Sequence, residues 1–202
     1  MQVNESDCRR IIEQIQELAD TSSVIIMSGS VPAGGGADLY RCMIEAIKPS
    51  GVPVTLDTSG EALMLGIQAG PFMIKPNKEE IAKLAADSGL VPEADSSIEE
   101  QLVATIRHLV QSKNILCVAV SLGEQGAMVG FGDKIYTVSA AKVEAVNPVG
   151  SGDSFVAGFA AALHRGYDII RSLQLASACG ASKHNHSRID FSLKPPGCIL
   201  NP

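Results

Sequence analysis

Asn147-Pro148-Val149-Gly150-Ser151-Gly152-Asp153-Ser154, followed at once by the apolar run Phe155 to Leu163, is the stretch whose residue types and spacing most directly allow chemistry. Two glycines just ahead of a helix let consecutive backbone N–H groups converge on one concavity, and the helix dipole favours negative charge there. The pattern predicts an anion hole formed by Gly150, Ser151 and Gly152. An aspartate in the first helical turn repels a bound phosphate unless it has a task, and taking the proton of an attacking hydroxyl is such a task. Asp153 is therefore a candidate general base. An ordinary Gly-rich turn, with Asp153 only favouring the helix start, uses the same residues, and the segment alone does not separate the two readings. Neither G-x-x-x-x-G-K-[ST] nor G-x-G-x-x-G occurs, so a Walker-type loop and a dinucleotide fingerprint are excluded.

Two further segments offer chemistry of a compatible kind. Asn77-Lys78-Glu79-Glu80 places Asn77 and Glu80 three apart at a helix start, on one face, as hard oxygen ligands for Mg²⁺ or its waters. In isolation Glu80 reads better as a solvated helix charge. Ser121-Leu122-Gly123-Glu124-Gln125-Gly126 closes an apolar strand with two glycines, which permits close backbone approach to a flat or phosphorylated ligand, or simply makes a tight turn.

These segments need elements to hold them. The chain has 202 residues, 46% hydrophobic and 19% charged, enough for one sizeable core, and its net charge of -6 disfavours nucleic acid or an anionic membrane surface as the main partner. No apolar stretch reaches the length of a membrane span, and the opening Met1-Gln2-Val3-Asn4-Glu5 is polar and acidic. Five scattered cysteines without a Cys-x-x-Cys pair read as reduced thiols, so a cytoplasmic protein is expected.

Apolar spacing predicts a helix capped by Ser6 and ending near Asp20, a strand at 24–27, a helix at 38–47, a strand at 52–56, a helix at 61–69 and a strand at 72–74. Helices at 78–86 and, from a Ser97/Glu100 capping box, to Gln111 follow around a polar connection at 88–97. Then come a strand at 115–121, a hairpin of 127–131 with 134–138 through Gly132-Asp133, a strand at 142–146, and Ala-rich helices at 151–164 and 169–183. Strand and helix alternate as in an α/β domain of three layers, α-β-α, with a mostly parallel sheet and an antiparallel edge. Ligands in such sheets sit at the carboxyl ends of strands, which selects 28–30, 57–60, 75–80, 121–126 and 147–153 before any relative is considered.

In this order and context the motifs resemble the ribokinase-like PfkB carbohydrate kinases. Asn147 to Asp153 is similar to their Gly-x-Gly-Asp signature, Lys75 to Glu80 to their Asn-x-x-Glu metal motif, and Ser121 to Gly126 to their nucleotide loop. Ser-Gly-Ser at 28–30, Asp-Thr-Ser-Gly at 57–60 and Lys-Pro-Asn at 75–77 resemble the 1-phosphofructokinase, phosphofructokinase and tagatose-6-phosphate kinase branch. The resemblance implies ATP-dependent phosphorylation of a hexose phosphate of the fructose-1-phosphate, fructose-6-phosphate or tagatose-6-phosphate type. It implies Asp153 as base, contacting the substrate, and the Gly150–Gly152 amides on the transferring group. Glu80 and Asn77 would place Mg²⁺ with support from Asp57, and Lys75, Asn77, Ser121, Gly123, Glu124, Gly126 and Gly180 would lie by ATP. Ser30 would lie by the sugar's own phosphate. A monovalent-cation site near Asn147 and Ser187 and a homodimer are further implications.

Two features depart from the family pattern. The family's N-terminal strands and the β lid that covers the sugar have no counterpart ahead of Ser28, so residues 1–202 are expected to be a single kinase-domain fragment with an apolar sheet edge. The tail from Ser182, with His184 and His186, lacks the family's small residues and Asn at the adenine pocket; the two histidines read as a solvated segment. Two rivals therefore stand beside the kinase: a catalytically incomplete nucleotide-binding or regulatory fragment, and a kinase of a nucleoside or vitamin.

Overall fold

A computed structural model describes residues 2–91, 95–139, 150–182 and 193–194. Among these, seven strands form one sheet in chain order: β1 (Ile25–Ser28), β2 (Val54–Asp57), β3 (Met73–Ile74), β4 (Cys117–Ser121), β5 (Ala127–Phe131), β6 (Lys134–Val138) and β7 (Leu193–Lys194). β1 to β4 pair in parallel, and β5, β6 and β7 add on antiparallel. The helices are α1 (Glu5–Ala19), α2 (Leu39–Ile47), α3 (Gly60–Gly66), α4 (Lys78–Asp87), α5 (Ile98–Ser112), α6 (Ser151–His164) and α7 (Ile169–Ser182). None of the described helices is long and apolar enough to cross a membrane.

The three layers follow from how the strands divide their side chains. β4 is apolar from Cys117 to Val120 because both its faces are covered: Val118 and Val120 join a core with Leu56, Ile74, Ile44 and Leu63, while Cys117 and Ala119 join a second core with Met73, Phe159 and Leu173. The first core lies under α1 to α5, and the second under α6 and α7. Full burial pushes the Cys117 thiol up, which suits a small core residue and not a reactive one. α6 and α7 approach closely because Gly158 faces α7; a Cβ there would stand 2.9 Å from the Cβ and Sγ of Cys179 and 3.0 Å from Ala176 Cα.

Within the described residues the expected elements are present with small shifts, and one cap is corrected. Asn4, not Ser6, caps α1: its Oδ1 accepts from the Ser6 and Asp7 amides, and Asp7 Oδ2 accepts from Asn4 N at 3.0 Å. A cap at Asn4 puts an acid at the third helical position, whereas a cap at Ser6 puts Arg9 there. β7 was not expected; two residues pairing Thr137 and Val138 are too short to show an alternating pattern. The Ser97/Glu100 box and the hairpin have their expected bounds. The helix at 61–69 divides into α3 and a 3₁₀ turn at Ile67–Ala69. The expected strand at 142–146 lies outside the described residues. β1 is one of the two outer strands among the described residues, and Ile26 on it is 42% exposed.

Candidate active site

β1 to β4 run the same way, so Ser28, Asp57, Lys75 and Ser121 end or immediately follow neighbouring strands at one edge of the sheet. Ser28 is the direct register partner of Asp57, and Gly29 N donates to the Asp57 carbonyl at 3.0 Å. The Thr58 hydroxyl donates to Gly29 O at 2.7 Å, and the Tyr40 hydroxyl reaches Ser28 O and Gly29 O at 3.2 and 3.1 Å. Gly29 has φ +95°, a conformation that favours glycine, and these bonds hold the turn that presents the exposed Ser30.

The next loop brings a charge. Lys75 Nζ lies 3.3 Å from Asp57 Oδ1, with side chains only 13% and 16% exposed. Burial raises the Asp57 carboxyl above the ordinary carboxylate range; Lys75 opposes that shift and Asp153 adds to it. Asp153 is therefore within electrostatic reach of the pair. It stands on the first turn of α6 and is exposed.

α6 begins at Gly150, which has φ +81° and provides no side-chain cap. Its carbonyl accepts both the Ser154 amide and the Ser154 hydroxyl, closing the first turn. Gly152 faces Lys75: a Cβ there would lie 2.9 Å from Nζ. Gly180 on α7 backs the same turn, with Ser151 O 3.2 Å from where its Cβ would be. One locality thus collects Asp57, Lys75, Gly150, Ser151, Gly152 and Asp153, with Gly180 supporting it from behind.

The second locality holds the remaining residues. Asn77 Oδ1 accepts the amides of Glu79 and Glu80 at 2.9 Å each, and Glu80 Oε2 accepts Asn77 N at 2.8 Å. The pair is a capping box at the start of α4. Asn77 also bridges to Ser121, Ser121 N donates to Pro76 O at 3.0 Å, and Lys78 Nζ donates to Gln125 Oε1 at 3.0 Å. Gly123 and Gly126 adopt φ +62° and +91° around a 3₁₀ turn that leaves Glu124 exposed. Asn147, Ser187, His184 and His186 lie outside the described residues.

Among the described residues no three His, Cys, Asp or Glu side chains stand together as a metal cage. Mg²⁺ characteristically takes one or two carboxylates and completes its shell with water and substrate phosphates. Asn77 and Glu80 are hard oxygen donors with lone pairs beyond those used in the cap, so this sparse pair suits that ion, whereas the Asp57 carboxylate is engaged by Lys75.

Sequence reasoning missed Tyr40 and Thr58 as holders of the Ser28 loop, and the Asp57–Lys75 pair. Strand order is the signal that could have found the pair, since both residues end successive parallel strands.

Residues 4–192 match the profile of the pfkB family carbohydrate kinase. The chain belongs to the pfkB family of carbohydrate kinases. Solved relatives agree with that membership. The chain is similar to Escherichia coli phosphofructokinase-2 in complex with potassium, at 28% identity over 92% of this chain and 58% of that one, with a TM-score of 0.77. The same enzyme in complex with fructose-6-phosphate matches at 26% identity over 91% and 57%, again with TM-score 0.77. A Thermotoga maritima protein described as a possible 1-phosphofructokinase shares the fold at 13% identity, over 98% of this chain and 64% of that one, with TM-score 0.77. The chain thus spans less than two thirds of the length of these relatives, and the pfkB fold seen here is the mixed sheet with its flanking helices.

Proposed function

We propose that this pfkB-family chain carries the phosphoryl-transfer machinery of a hexose-phosphate kinase using ATP. The observation that carries the reading is the meeting of Lys75, Gly152 and exposed Asp153 at the uncapped start of α6. The amides of Gly150, Ser151 and Gly152 and the Lys75 ammonium stabilise negative charge on the transferring group; Asp153 accepts the proton of the acceptor hydroxyl. The acceptor oxygen bonds to the γ-phosphorus, the bond from that phosphorus to the bridging oxygen breaks, and ADP leaves with the electron pair. Such a reaction asks mainly for positioning and charge stabilisation, which a small set of groups can supply.

Ser121, Gly123, Glu124 and Gly126 border the nucleotide, and Ser30 faces the sugar's phosphate. Asn77 and Glu80 are the oxygen donors available to Mg²⁺, which when bound neutralises charge on the phosphate oxygens. The potassium complex and the fructose-6-phosphate complex of the relative support a monovalent cation and a phosphorylated hexose as ligands of this chain.

The test is ADP release from ATP and Mg²⁺ with fructose 6-phosphate, tagatose 6-phosphate or fructose 1-phosphate offered in turn, alongside ATP binding by calorimetry. Asp153→Asn is expected to lower turnover by at least ~100-fold with ATP affinity little changed. Full turnover in that variant removes Asp153 as base. ATP binding without ADP release on any acceptor favours a nucleotide-binding fragment, and failure to bind ATP overturns the reading altogether.

A further inference from the structure

Asp57 is expected by resemblance to support the metal, yet in the structure its carboxylate already has a cation. Lys75 Nζ stands 3.3 Å away, and both side chains are largely withdrawn from water. We propose that Asp57 is a positioning residue for Lys75: it holds the ammonium against the first turn of α6, beside Gly152, and acts on the phosphate group only through that lysine. This deepens the kinase reading and rests on it for the identity of the ligand.

The two partners differ in stiffness, which sets the direction of the effect. Asp57 closes β2, in register with Ser28, and its carbonyl accepts the Gly29 amide. Lys75 follows the two-residue strand β3 and carries a flexible four-carbon stem. The rigid member therefore fixes the flexible one. The ammonium's place is recorded by Gly152, where a Cβ would come within 2.9 Å of Nζ and 3.4 Å of Cε. Metal coordination at Asp57 would bring a divalent cation beside an ammonium already in contact, and like charges at that range oppose one another. Loss of Asp57 leaves a largely buried ammonium without its anion, so Lys75 has reason to leave the site.

The experiment has two parts. In the first, Lys75 is labelled with an amine-acylating reagent and quantified by mass spectrometry, in the wild type, Asp57→Asn and Asp57→Glu. Lys75 is expected to react about tenfold faster in Asp57→Asn, with the Glu variant between, while surface lysines such as Lys113 are unaffected. Equal labelling in all three overturns the proposal, and Asp57→Glu serves if the Asn variant does not fold. In the second, ADP affinity is measured without and then with Mg²⁺ in the wild type, Asp57→Asn, Lys75→Met and the double variant. Asp57→Asn is expected to weaken ADP about fivefold on its own and to have no added effect once Lys75 is Met. Independent effects or tighter binding in Asp57→Asn reject the positioning role, and a loss seen only with Mg²⁺ rejects it and returns Asp57 to the metal. A wild type that does not bind ADP sinks the kinase reading, while the labelling still decides whether Asp57 holds Lys75.

Discussion

Gly152→Ala separates the fold from the site at a single carbon atom. Gly152 is the second residue of α6, where helical backbone suits alanine, and glycine in a helix costs about 0.5–1 kcal/mol relative to alanine. The new Cβ would lie 2.9 Å from Lys75 Nζ and 3.4 Å from Cε. Moving Nζ by roughly half an ångström restores ordinary contact, and the end of a lysine yields easily, so the fold absorbs the methyl group. The site does not. The methyl occupies the space between the α6 amides and the ammonium, and loss of one charge-assisted contact to a phosphate is worth about 1.5–3 kcal/mol. The variant is therefore expected to melt at or above the wild-type temperature, by up to ~4 °C, and to bind ATP about 10–100-fold more weakly. Differential scanning calorimetry and isothermal titration read the two quantities on one preparation. A lowered melting temperature with unchanged ATP affinity would show that Gly152 serves packing and that no phosphate sits between it and Lys75.

Three other outcomes follow from the same coordinates. Asn77→Ala removes the acceptor of two α4 amides and is expected to cost about 1 kcal/mol in urea denaturation, whereas Asn77→Asp keeps most of it; equal stability of all three proteins would deny the cap any energetic role. Gly158→Val drives a branched side chain into Cys179 and the Ala176 backbone and is expected to destabilise by about 1–3 kcal/mol, read as a lower urea midpoint at unchanged slope; a neutral result means that α6 and α7 can part without loss. Asp57 is held above its ordinary proton affinity in the folded chain, so between about pH 4 and that raised value the folded state binds more protons than the unfolded one. Its contribution to stability is therefore expected to fall as pH rises through that window. The difference between wild type and Asp57→Asn across a pH series should show the fall, and a flat or rising difference contradicts the assigned direction.

How much of this was legible in the sequence depended on whether the cause was local. The helix starting at Ser97 announces itself because its cap and its acid lie three residues apart, and β5 and β6 because the two-residue turn Gly132-Asp133 joins two short apolar-rich runs. The same locality explains why the site loops could be selected early: each follows a strand, and parallel strands end together. Asn77 and Glu80 show the limit. Residues three apart at a helix start are suited both to a capping box and to a shared metal, so spacing alone cannot choose, and the structure uses the pair as a cap while leaving further oxygen lone pairs. Non-local contacts other than those between strand ends left no trace. Nothing in the sequence marks Tyr40, yet its hydroxyl holds the Ser28 loop, and the role of Gly158 emerges only when α7 is seen against it.

Asp57 and Asp153 are the same amino acid in one neighbourhood, and their surroundings divide their tasks. Asp57 is drawn out of water, its charge committed to Lys75, and no acceptor alcohol can use a carboxylate so engaged. Asp153 lies within electrostatic reach of Asp57 but stands exposed on the first turn of α6, where an incoming hydroxyl has access to it. A base in this position must be ionised and reachable; an anchor must be buried and paired. On the proposed reading, exchanging the two roles would require exchanging the two environments, which is why Glu at 57 can be tested as a partial substitute for the anchor while no substitution at 57 can replace the carboxylate lost in Asp153→Asn.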